Sequence, residues 1–471
     1  MVREMIEFEL SGSSLNEECG IFALHHVEDA SVLTYYGLHS LQHRGQEACG
    51  IATSDGSKIL TRKDKGLVTD VFDKAKLDEI GENAIHALGH VLYGKRGGNI
   101  QENIQPIMVR AHQGAFALAN NGEIVNAGEL RYELEQQGSI FQGTSDTEVI
   151  AHLIQREQGS MAEKILAACK QLRGAYTIVI MTKNTMYAVR DPLGLRPLCL
   201  GKVNGGYAIS SESCAFTIIN AEFSRDLRPG EMLKMGKEKF ESIQFSPPGE
   251  PSICAMEYIY FSRPDSDIDG INVHSSRKAC GRELARMEDV EADIVVGVPD
   301  SSLSASQGYA EESCLPNEMG LIKSRYVGRS FIKPRQSDRE RGVKMKLSPV
   351  RSVLAGKRVV LVDDSIVRGT TSKRIVNHLF SAGAKEVHVR IASPPLRYPC
   401  FYGIDLHSSE ELIAGNRSEE EIRQYIGATS LKFLPLETLR KILGNNICTS
   451  CFTGEYPIPI PKQSSIYDYN D

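Results

Sequence analysis

The chain has 471 residues, of which 41% are hydrophobic and 24% charged, and its formal net charge is −6 at pH 7. This length exceeds a single hydrophobic core, so two domains of roughly 200 residues or more are expected. The acidic balance gives no support for nucleic-acid binding, and no apolar run reaches the roughly 18 residues that a membrane span needs. The first 18 residues lack the apolar stretch of a secretory signal, so a cytoplasmic location is predicted.

Cys19 follows a polar, acidic segment, residues 1–18, that predicts a disordered terminus. The eleven cysteines of the chain are an odd number, which argues against a disulfide framework. A free cysteine is most often a small buried hydrophobe.

The next elements follow from local patterns. Apolar spacing predicts a helix that ends near Gly45. The alternating runs 176–181 and 186–189, separated by Lys183-Asn184, predict a β-hairpin. Residues 246–251, Ser-Pro-Pro-Gly-Glu-Pro, are the candidate linker between the two domains.

The second half opens with a strand and a strongly basic segment. Residues 293–298 predict a strand that enters a loop of small residues, Asp300-Ser301-Ser302. The segment 323–346 carries many Lys and Arg residues and few apolar ones, so it is predicted to be a mobile flap. A solvated loop and a nucleic-acid patch are alternatives, but a polyphosphate ligand fits an acidic protein better.

A β-loop-α-β unit spans residues 358–391. Val359–Val362 predict a buried parallel strand that ends on Asp363 and Asp364. A loop of small hydroxylated residues leads into an amphipathic helix with Ile375, Val376, Leu379 and Phe380 on one face, closed by Gly383. Loop amides and a helix N-terminus suit a phosphate, and paired carboxylates suit sugar hydroxyls or Mg²⁺. The alternative is that the carboxylates only end a strand and cap a helix.

Four cysteines form a further set: Cys254, Cys400, Cys448 and Cys451. The Cys-x-x-Cys pair is a good clamp for a metal, and from residue types alone zinc would be the first choice. The other cysteines, predicted to be packing residues, are Cys49, Cys169, Cys199, Cys214, Cys280 and Cys314.

The string Val-Val-Leu-Val-Asp-Asp-Ser-Ile-Val-Arg-Gly-Thr-Thr-Ser, residues 359–372, resembles the phosphoribosylpyrophosphate (PRPP) signature of type I phosphoribosyltransferases. Its central part is similar to that of the glutamine PRPP amidotransferases, and the similarity extends from Asn16 to about Pro457. Further matching strings lie at residues 16–22, 35–47, 119–123, 143–148, 256–266 and 293–302. The resemblance implies a four-layer α/β/β/α N-terminal-nucleophile domain followed by a phosphoribosyltransferase domain with a parallel sheet.

The resemblance implies a propeptide at residues 1–18 and a glutaminase domain at residues 19–250. Five residues of this domain receive functions: the nucleophile Cys19, the glutamine-pocket Arg44, the oxyanion-hole pair Asn121 and Gly122, and the ammonium-binding Asp146. The chain departs from the family pattern at Leu92, where the family has an Arg that pairs with the glutamine α-carboxylate, and at Asn120, where the family has His.

The resemblance implies a phosphoribosyltransferase domain at residues 251–471. The PRPP-binding residues would be Asp300, Ser301, Lys346, Asp363, Asp364, Ser365, Arg368, Gly369, Thr370 and Thr371. Mg²⁺ would be bound at Ser301, Asp363 and Asp364. The four cysteines Cys254, Cys400, Cys448 and Cys451 match the family branch that holds a [4Fe–4S] cluster.

The activity implied is conversion of PRPP, glutamine and water into 5-phosphoribosylamine, glutamate and pyrophosphate, the first step of purine synthesis. The resemblance also implies inhibition by purine nucleotides and a homotetramer. Two alternatives stay open: an ammonia-dependent enzyme with an impaired glutaminase domain, and a non-catalytic protein that senses PRPP.

Overall fold

The structure is a computed structural model that describes residues 19–93, 100–112, 114–236, 239–247, 250–287, 290–323, 347–406 and 409–460. The predicted disordered terminus, residues 1–18, lies outside these ranges. Of the predicted flap, residues 323–346, only Lys323 lies within them.

Two antiparallel sheets form the N-terminal region. Its strands are β1 (Cys19–His25), β2 (Ala48–Ser54), β3 (Ile59–Lys65), β4 (His86–Leu92), β5 (Ile107–Ala111), β6 (Gly114–Asn121), β7 (Thr177–Met181), β8 (Met186–Arg190), β9 (Cys199–Val203), β10 (Gly206–Ser210), β11 (Glu222–Asp226), β12 (Glu231–Met235) and β13 (Phe240–Gln244). One sheet has the order β11-β9-β10-β1-β4-β2-β3 and the other β13-β12-β8-β7-β6-β5. The predicted hairpin is confirmed, because β7 and β8 pair with Met181 opposite Met186.

Helices cover the outer faces of the two sheets. They are α1 (Ala30–Ser40), α2 (Val68–Val71), α3 (Lys74–Gly81), α4 (Ile100–Asn103), α5 (Ala127–Gln136), α6 (Asp146–Arg156), α7 (Met161–Cys169) and α8 (Cys214–Ile218), with a 3-10 turn at Gln42–Arg44. Inward-facing residues such as Ile21, Ala119 and Val179 form the core between the sheets. Two further cores lie between each sheet and its helices. The predicted four-layer α/β/β/α arrangement is confirmed.

A parallel sheet forms the centre of the C-terminal region. The strands are β14 (Ile253–Cys254), β15 (Asp267–Ile268), β16 (Ile271–Asn272), β17 (Ile294–Gly297), β18 (Leu321–Lys323), β19 (Leu347–Pro349), β20 (Arg358–Asp363), β21 (Glu386–Ile391), β22 (Ser430–Phe433) and β23 (Ile447–Cys448). Strands β17, β20, β21 and β22 pair in parallel in that order.

Helices pack on both faces of this sheet. They are α9 (Val273–Arg286), α10 (Leu303–Ser313), α11 (Arg351–Leu354), α12 (Thr370–Ser381), α13 (Ile413–Asn416), α14 (Glu419–Ile426), α15 (Leu436–Leu443) and α16 (Ser450–Thr453), with a π-helical turn at Glu257–Phe261 and a 3-10 turn at Ser409–Glu411. Alternate residues of β20 point to opposite cores, Val360 to one and Leu361 to the other. This double burial explains the continuous apolar run in the sequence.

The predicted strand-loop-helix-strand unit is confirmed as β20, α12 and β21. Gly383, with φ +98°, donates its amide to the Phe380 carbonyl and ends the helix in the left-handed conformation. Ile375, Val376 and Leu379 are buried as expected. Phe380 is not, since 37% of it is exposed, so its place on the apolar face was predicted wrongly.

The cysteines predicted to be packing residues are buried, with one exception. Cys314, the C-cap of α10 with φ +56°, is exposed. None of the helices in the described ranges has the length and apolarity to cross a membrane.

Candidate active site

Asp363 and Asp364 are buried at the carboxyl end of β20. The neighbouring strand β17 leads into the loop that supplies two hydroxyl donors. Ser302 Oγ lies 3.0 Å from Asp363 Oδ1, and Ser301 Oγ donates to Asp364 Oδ2. Ser365 Oγ lies 2.6 Å from the other oxygen of Asp364. The sheet therefore brings the two predicted loops together around a pair of adjacent carboxyl groups.

The two carboxyl groups share an environment that resists ionisation. Burial, together with the charge of Asp364, raises the pKa of Asp363 well above its ordinary value, and burial also raises the pKa of Asp364. A cation bound between them would favour the ionised forms, so the pair is suited to a divalent metal ion.

The loop after the acidic pair leads directly into α12. Gly369 precedes the helix with φ +73°, and a Cβ there would come within 2.8 Å of Ile413 Cδ1. The left-handed backbone conformation therefore favours glycine, and a larger residue would also displace the end of the Ile413 side chain. Thr370 and Thr371 occupy the first turn of α12, and the N-terminus of a helix attracts an anion. Arg368 pairs with Glu411 at 2.6 Å, so its guanidinium is held beside this loop.

Asp300, the other acidic residue of the site prediction, lies in the loop after β17. Its side chain is exposed and pairs with Lys323 Nζ at 2.6 Å. Lys323 is the first residue of the predicted flap segment, residues 323–346. Lys346, also predicted to bind PRPP, lies outside the described residues.

Cys19 begins β1, the central strand of the seven-stranded sheet. Its side chain is buried with Ala48, Leu92 and Ile104, and its backbone pairs with Leu92 of β4. Arg44 Nε donates to the Cys19 carbonyl at 3.1 Å. The predicted nucleophile and the predicted pocket arginine are therefore in direct contact.

Asn121 and Gly122 lie at the end of β6, in the facing sheet. Ile21 lies two residues after Cys19, and Ala119 lies two residues before Asn121. Both belong to the core between the sheets, so Cys19 and Asn121 lie at the border of that core. The side-chain nitrogen of Asn121 is buried and has no hydrogen-bond partner within the described ranges. Gly122 has φ +123°, and a Cβ there would come within 2.3 Å of the Ala175 carbonyl oxygen.

Asp146 begins helix α6, with Ser145 as the N-cap. Asp146 Oδ2 accepts the Ile124 backbone amide at 2.9 Å. The carboxylate is thereby held against the turn that follows Asn121 and Gly122. These three predicted residues are brought together by one turn and one helix start.

The four predicted metal-ligating cysteines line one enclosed cavity, together with Leu195, Arg196, Tyr402, Ile404 and Ser450. The pairing of β14 with β23 sets Cys254 beside Cys448, and α16 carries Cys451. Burial raises the pKa of Cys254 and Cys400 to about 12 and that of Cys448 to about 11. No group of three or more His, Cys, Asp or Glu side chains within the described residues is arranged to hold a single metal ion.

Some residues at these sites had no function assigned from the sequence. Ser302 contacts both Asp363 and Asp364. The only signal for this in the sequence was that Ser302 is a second small hydroxylated residue in the loop after β17. Glu257 and Arg196 form a buried pair near Cys19, which is described below. No local pattern could have indicated that pair, because its members are 61 residues apart in the chain.

The sequence also matches known families and proteins. A model of the glutamine amidotransferase domain matches residues 97–217, and one of the phosphoribosyl transferase domain matches residues 279–393. The chain is 54% identical over 456 residues to amidophosphoribosyltransferase of Bacillus subtilis, with 95% of each chain covered. It is 48% identical over 463 residues to that of Methanocaldococcus jannaschii, covering 94% of this chain and 98% of the relative.

A solved structure gives the same result. The glutamine PRPP amidotransferase from B. subtilis, complexed with ADP and GMP, superposes with a TM-score of 0.90 at 53% identity, covering 95% of this chain and 99% of that one. The chain belongs to the amidophosphoribosyltransferase family. It is a transferase that uses glutamine and PRPP in the first step of purine biosynthesis.

Leu92 is the position at which this amidophosphoribosyltransferase departs from the pattern expected for a glutamine carboxylate site. The leucine side chain packs beside Cys19 and carries no charge. Asn120, the second departure, donates its backbone amide to Gln105 Oε1 at 2.6 Å. Lys95 and Arg96, which follow Leu92 closely in sequence, lie outside the described residues.

Replacement of Leu92 by arginine is predicted to lower the glutamine KM and to leave ammonia-dependent turnover unchanged. Hydrogen bonds to charged groups are worth ~1.5–3 kcal/mol each. One or two missing bonds therefore correspond to glutamine binding that is weaker by a factor between roughly 10 and roughly 20,000, at about 1.4 kcal/mol per decade. Steady-state kinetics with glutamine and with ammonium as nitrogen donors measure the effect.

Leu92→Met is the matched control, since it keeps an apolar side chain of similar volume and should leave the KM unchanged. Wild-type enzyme that already saturates at sub-millimolar glutamine would show that another group binds the carboxylate. Lys95→Ala and Arg96→Ala would then identify it by a raised KM.

Proposed function

We propose that the mature chain begins at Cys19, after removal of residues 1–18, and that Cys19 is the glutaminase nucleophile. The observation that supports this is the position of Cys19 at the start of β1, with its carbonyl bonded to Arg44 and its thiol buried beside Leu92. A free α-amine on this residue would take the thiol proton, which an internal cysteine could not arrange.

The mature enzyme is predicted to lack residues 1–18, because catalysis needs the free α-amine of Cys19. Intact-mass measurement on enzyme with glutamine-dependent activity checks this. Fully active enzyme that still carries Met1 through Glu18 would exclude the proposed general base.

In the glutamine half-reaction, Cys19 Sγ attacks the amide carbon and the α-amine takes the thiol proton. The oxyanion that forms would be met by the Asn121 side-chain amide and the Gly122 backbone amide. Collapse of this intermediate breaks the C–N bond, the α-ammonium returns its proton to the leaving nitrogen, and ammonia and a glutamyl thioester result. Water then hydrolyses the thioester to glutamate. Asp146 would bind the glutamine ammonium, and Arg44 would position Cys19.

In the PRPP half-reaction, the loop from Ser365 to Thr371 would bind the 5-phosphate at the start of α12. Ser301, Asp363 and Asp364 would hold Mg²⁺, whose charge would assist departure of pyrophosphate. Asp300, Arg368 and Lys346 would contribute further contacts to PRPP. Ammonia released in the first half would reach C1 of PRPP inside the protein, where it is shielded from protonation. The observation that carries this assignment is the buried acidic pair with its three serine hydroxyls.

The double substitution of Asp363 and Asp364 by Asn is predicted to abolish PRPP turnover with either nitrogen donor. The loss should be a hundredfold or more, on the order of what removal of transition-state stabilisation costs. Pyrophosphate release with glutamine and with ammonium measures it. Retention of normal turnover would remove both residues from the site.

Asp293→Asn is the matched control, because Asp293 precedes the opposite end of the same sheet and pairs with Arg358 at 2.9 Å. This variant should affect stability and leave PRPP turnover largely intact.

The cysteine cavity is proposed to hold a [4Fe–4S] cluster, bound by Cys254, Cys400, Cys448 and Cys451. The four cysteines line one enclosed cavity, and cysteine thiolates bind both zinc and iron–sulfur clusters. The family branch that the sequence resembles holds a [4Fe–4S] cluster, which favours the cluster over zinc. The bound cluster would supply a structural cross-link among three segments of the C-terminal half.

Anaerobically purified protein is predicted to be brown and to contain about four irons per chain. Cys448→Ser should lose iron and colour, since it removes one ligand. Cys314→Ser, at an exposed cysteine outside the cavity, should keep both. Colourless, active protein with one zinc per chain would contradict the cluster.

The remaining assignments rest on family resemblance. The domains would span residues 19–250 and 251–471, the subunits would form a homotetramer in the cytoplasm, and purine nucleotides would inhibit. The B. subtilis relative complexed with ADP and GMP supports nucleotide binding. A second candidate function, an ammonia-dependent enzyme with weak glutamine use, is favoured by one observation, the uncharged Leu92 beside Cys19.

A further inference from the structure

A buried ion-pair network connects Cys19 with the C-terminal half of the chain. Arg44, which donates to the Cys19 carbonyl through Nε, uses its other nitrogens for Glu257 at 3.0 and 3.1 Å. Glu257 lies in the π-helical turn of the C-terminal half and is fully buried. The Glu257 carboxylate of the C-terminal half thus fixes Arg44. Arg44 in turn fixes Cys19, the proposed nucleophile of the N-terminal half.

Further hydrogen bonds complete this network around both Glu257 and Arg44. Arg196 Nη1 donates to Glu257 at 3.1 Å, and Ser262 Oγ donates to it at 2.9 Å. Glu212 accepts from Arg44 Nη1 at 2.7 Å and also from Arg263 and Ser266 of the C-terminal half. Burial alone would raise the pKa of Glu257, but Arg44 and Arg196 lower it, so the carboxylate stays ionised.

The hydrogen bond from Arg44 to the Cys19 carbonyl matters more for orientation if Cys19 is the first residue of the mature chain. A terminal residue has no preceding peptide unit to fix its orientation. The α-amine, the thiol and the carbonyl all branch from one Cα, so a restraint on the carbonyl also orients the other two groups. A buried guanidinium must be neutralised to stay in place, and Arg44 is neutralised by Glu212 through Nη1 and by Glu257 through Nη1 and Nη2.

We propose that Glu257 is a positioning residue for the glutaminase reaction, acting through Arg44 on the α-amine and thiol of Cys19. This inference rests on the proposed function of Cys19. It makes glutamine hydrolysis dependent on a residue of the phosphoribosyltransferase half.

The test is Glu257→Gln, which keeps the size of the side chain and removes its charge. Glutamine-dependent kcat is expected to fall by about tenfold or more, with the glutamine KM within about twofold of wild type. PRPP turnover with ammonium should stay within about twofold. Loss of a negative charge near Arg44 should also lower the pKa values of the Cys19 amine and thiol. The acidic limb of the glutaminase pH profile should therefore move to lower pH.

Glu231→Gln is the matched control. Glu231 is equally buried, pairs with Arg225 at 2.6 and 2.8 Å and lies in the N-terminal half. Its replacement should cost stability in the same way and leave the pH limb where it was. Glu257→Asp restores the charge on a shorter side chain, so it should return the pH limb towards wild type while kcat stays low.

Three outcomes would overturn the proposal: an unchanged kcat and pH limb in Glu257→Gln, the same pH shift in Glu231→Gln, or a wild-type kcat in Glu257→Asp. If Glu257→Gln does not fold, Glu257→Asp alone decides. A wild-type enzyme without any glutamine-dependent activity would contradict the function proposed for Cys19 instead, so the two failures are distinguishable.

Discussion

Buried ion pairs between the two halves of the chain fix their relative orientation, on which a reaction with two centres depends. Arg190 is fully buried and donates two hydrogen bonds of 2.8 Å to Asp269. Glu257 accepts hydrogen bonds from Arg44 and Arg196. Breaking one partner of such a pair strongly destabilises a protein, because the other charge is left without compensation. The planar guanidinium also restricts direction, which apolar contacts do not. Sliding of one half over the other is therefore opposed by specific bonds as well as by apolar burial.

The two centres are prepared in different ways. At the proposed PRPP centre, strand β20 is buried on both faces and places Asp363 and Asp364 at its carboxyl end. Burial raises the pKa of both carboxyl groups, so the pair favours a bound cation. At the proposed glutamine centre, Cys19 begins strand β1, and its carbonyl accepts a hydrogen bond from Arg44. One centre is thus built on the end of a buried strand, whereas the other depends on a hydrogen bond between neighbouring elements.

Local patterns were sufficient to predict much of this structure and could not have given the rest. The unit from β20 to β21 was predicted correctly, because a doubly buried strand and an amphipathic helix leave distinct periodicities. The four cysteines were grouped by resemblance, and the fold places them around one cavity. Phe380 and Cys314 were misjudged, because periodicity does not tell how far a face or a helix end is covered. The bond from Arg44 to Glu257 joins residues 213 positions apart, and no local pattern encodes such a distance.

Leu92, in place of the family arginine, affects glutamine binding rather than the hydrogen bonds that orient Cys19. Leu92 removes a charge expected to meet the ligand, whereas Cys19, Arg44 and Glu257 remain joined by hydrogen bonds. For stability alone, a buried ion pair is often no better than apolar residues of the same volume. Stability alone therefore does not account for the charges beside Cys19, which fits the positioning function proposed for Glu257. The combination favours an enzyme that retains its glutamine chemistry and binds glutamine more weakly.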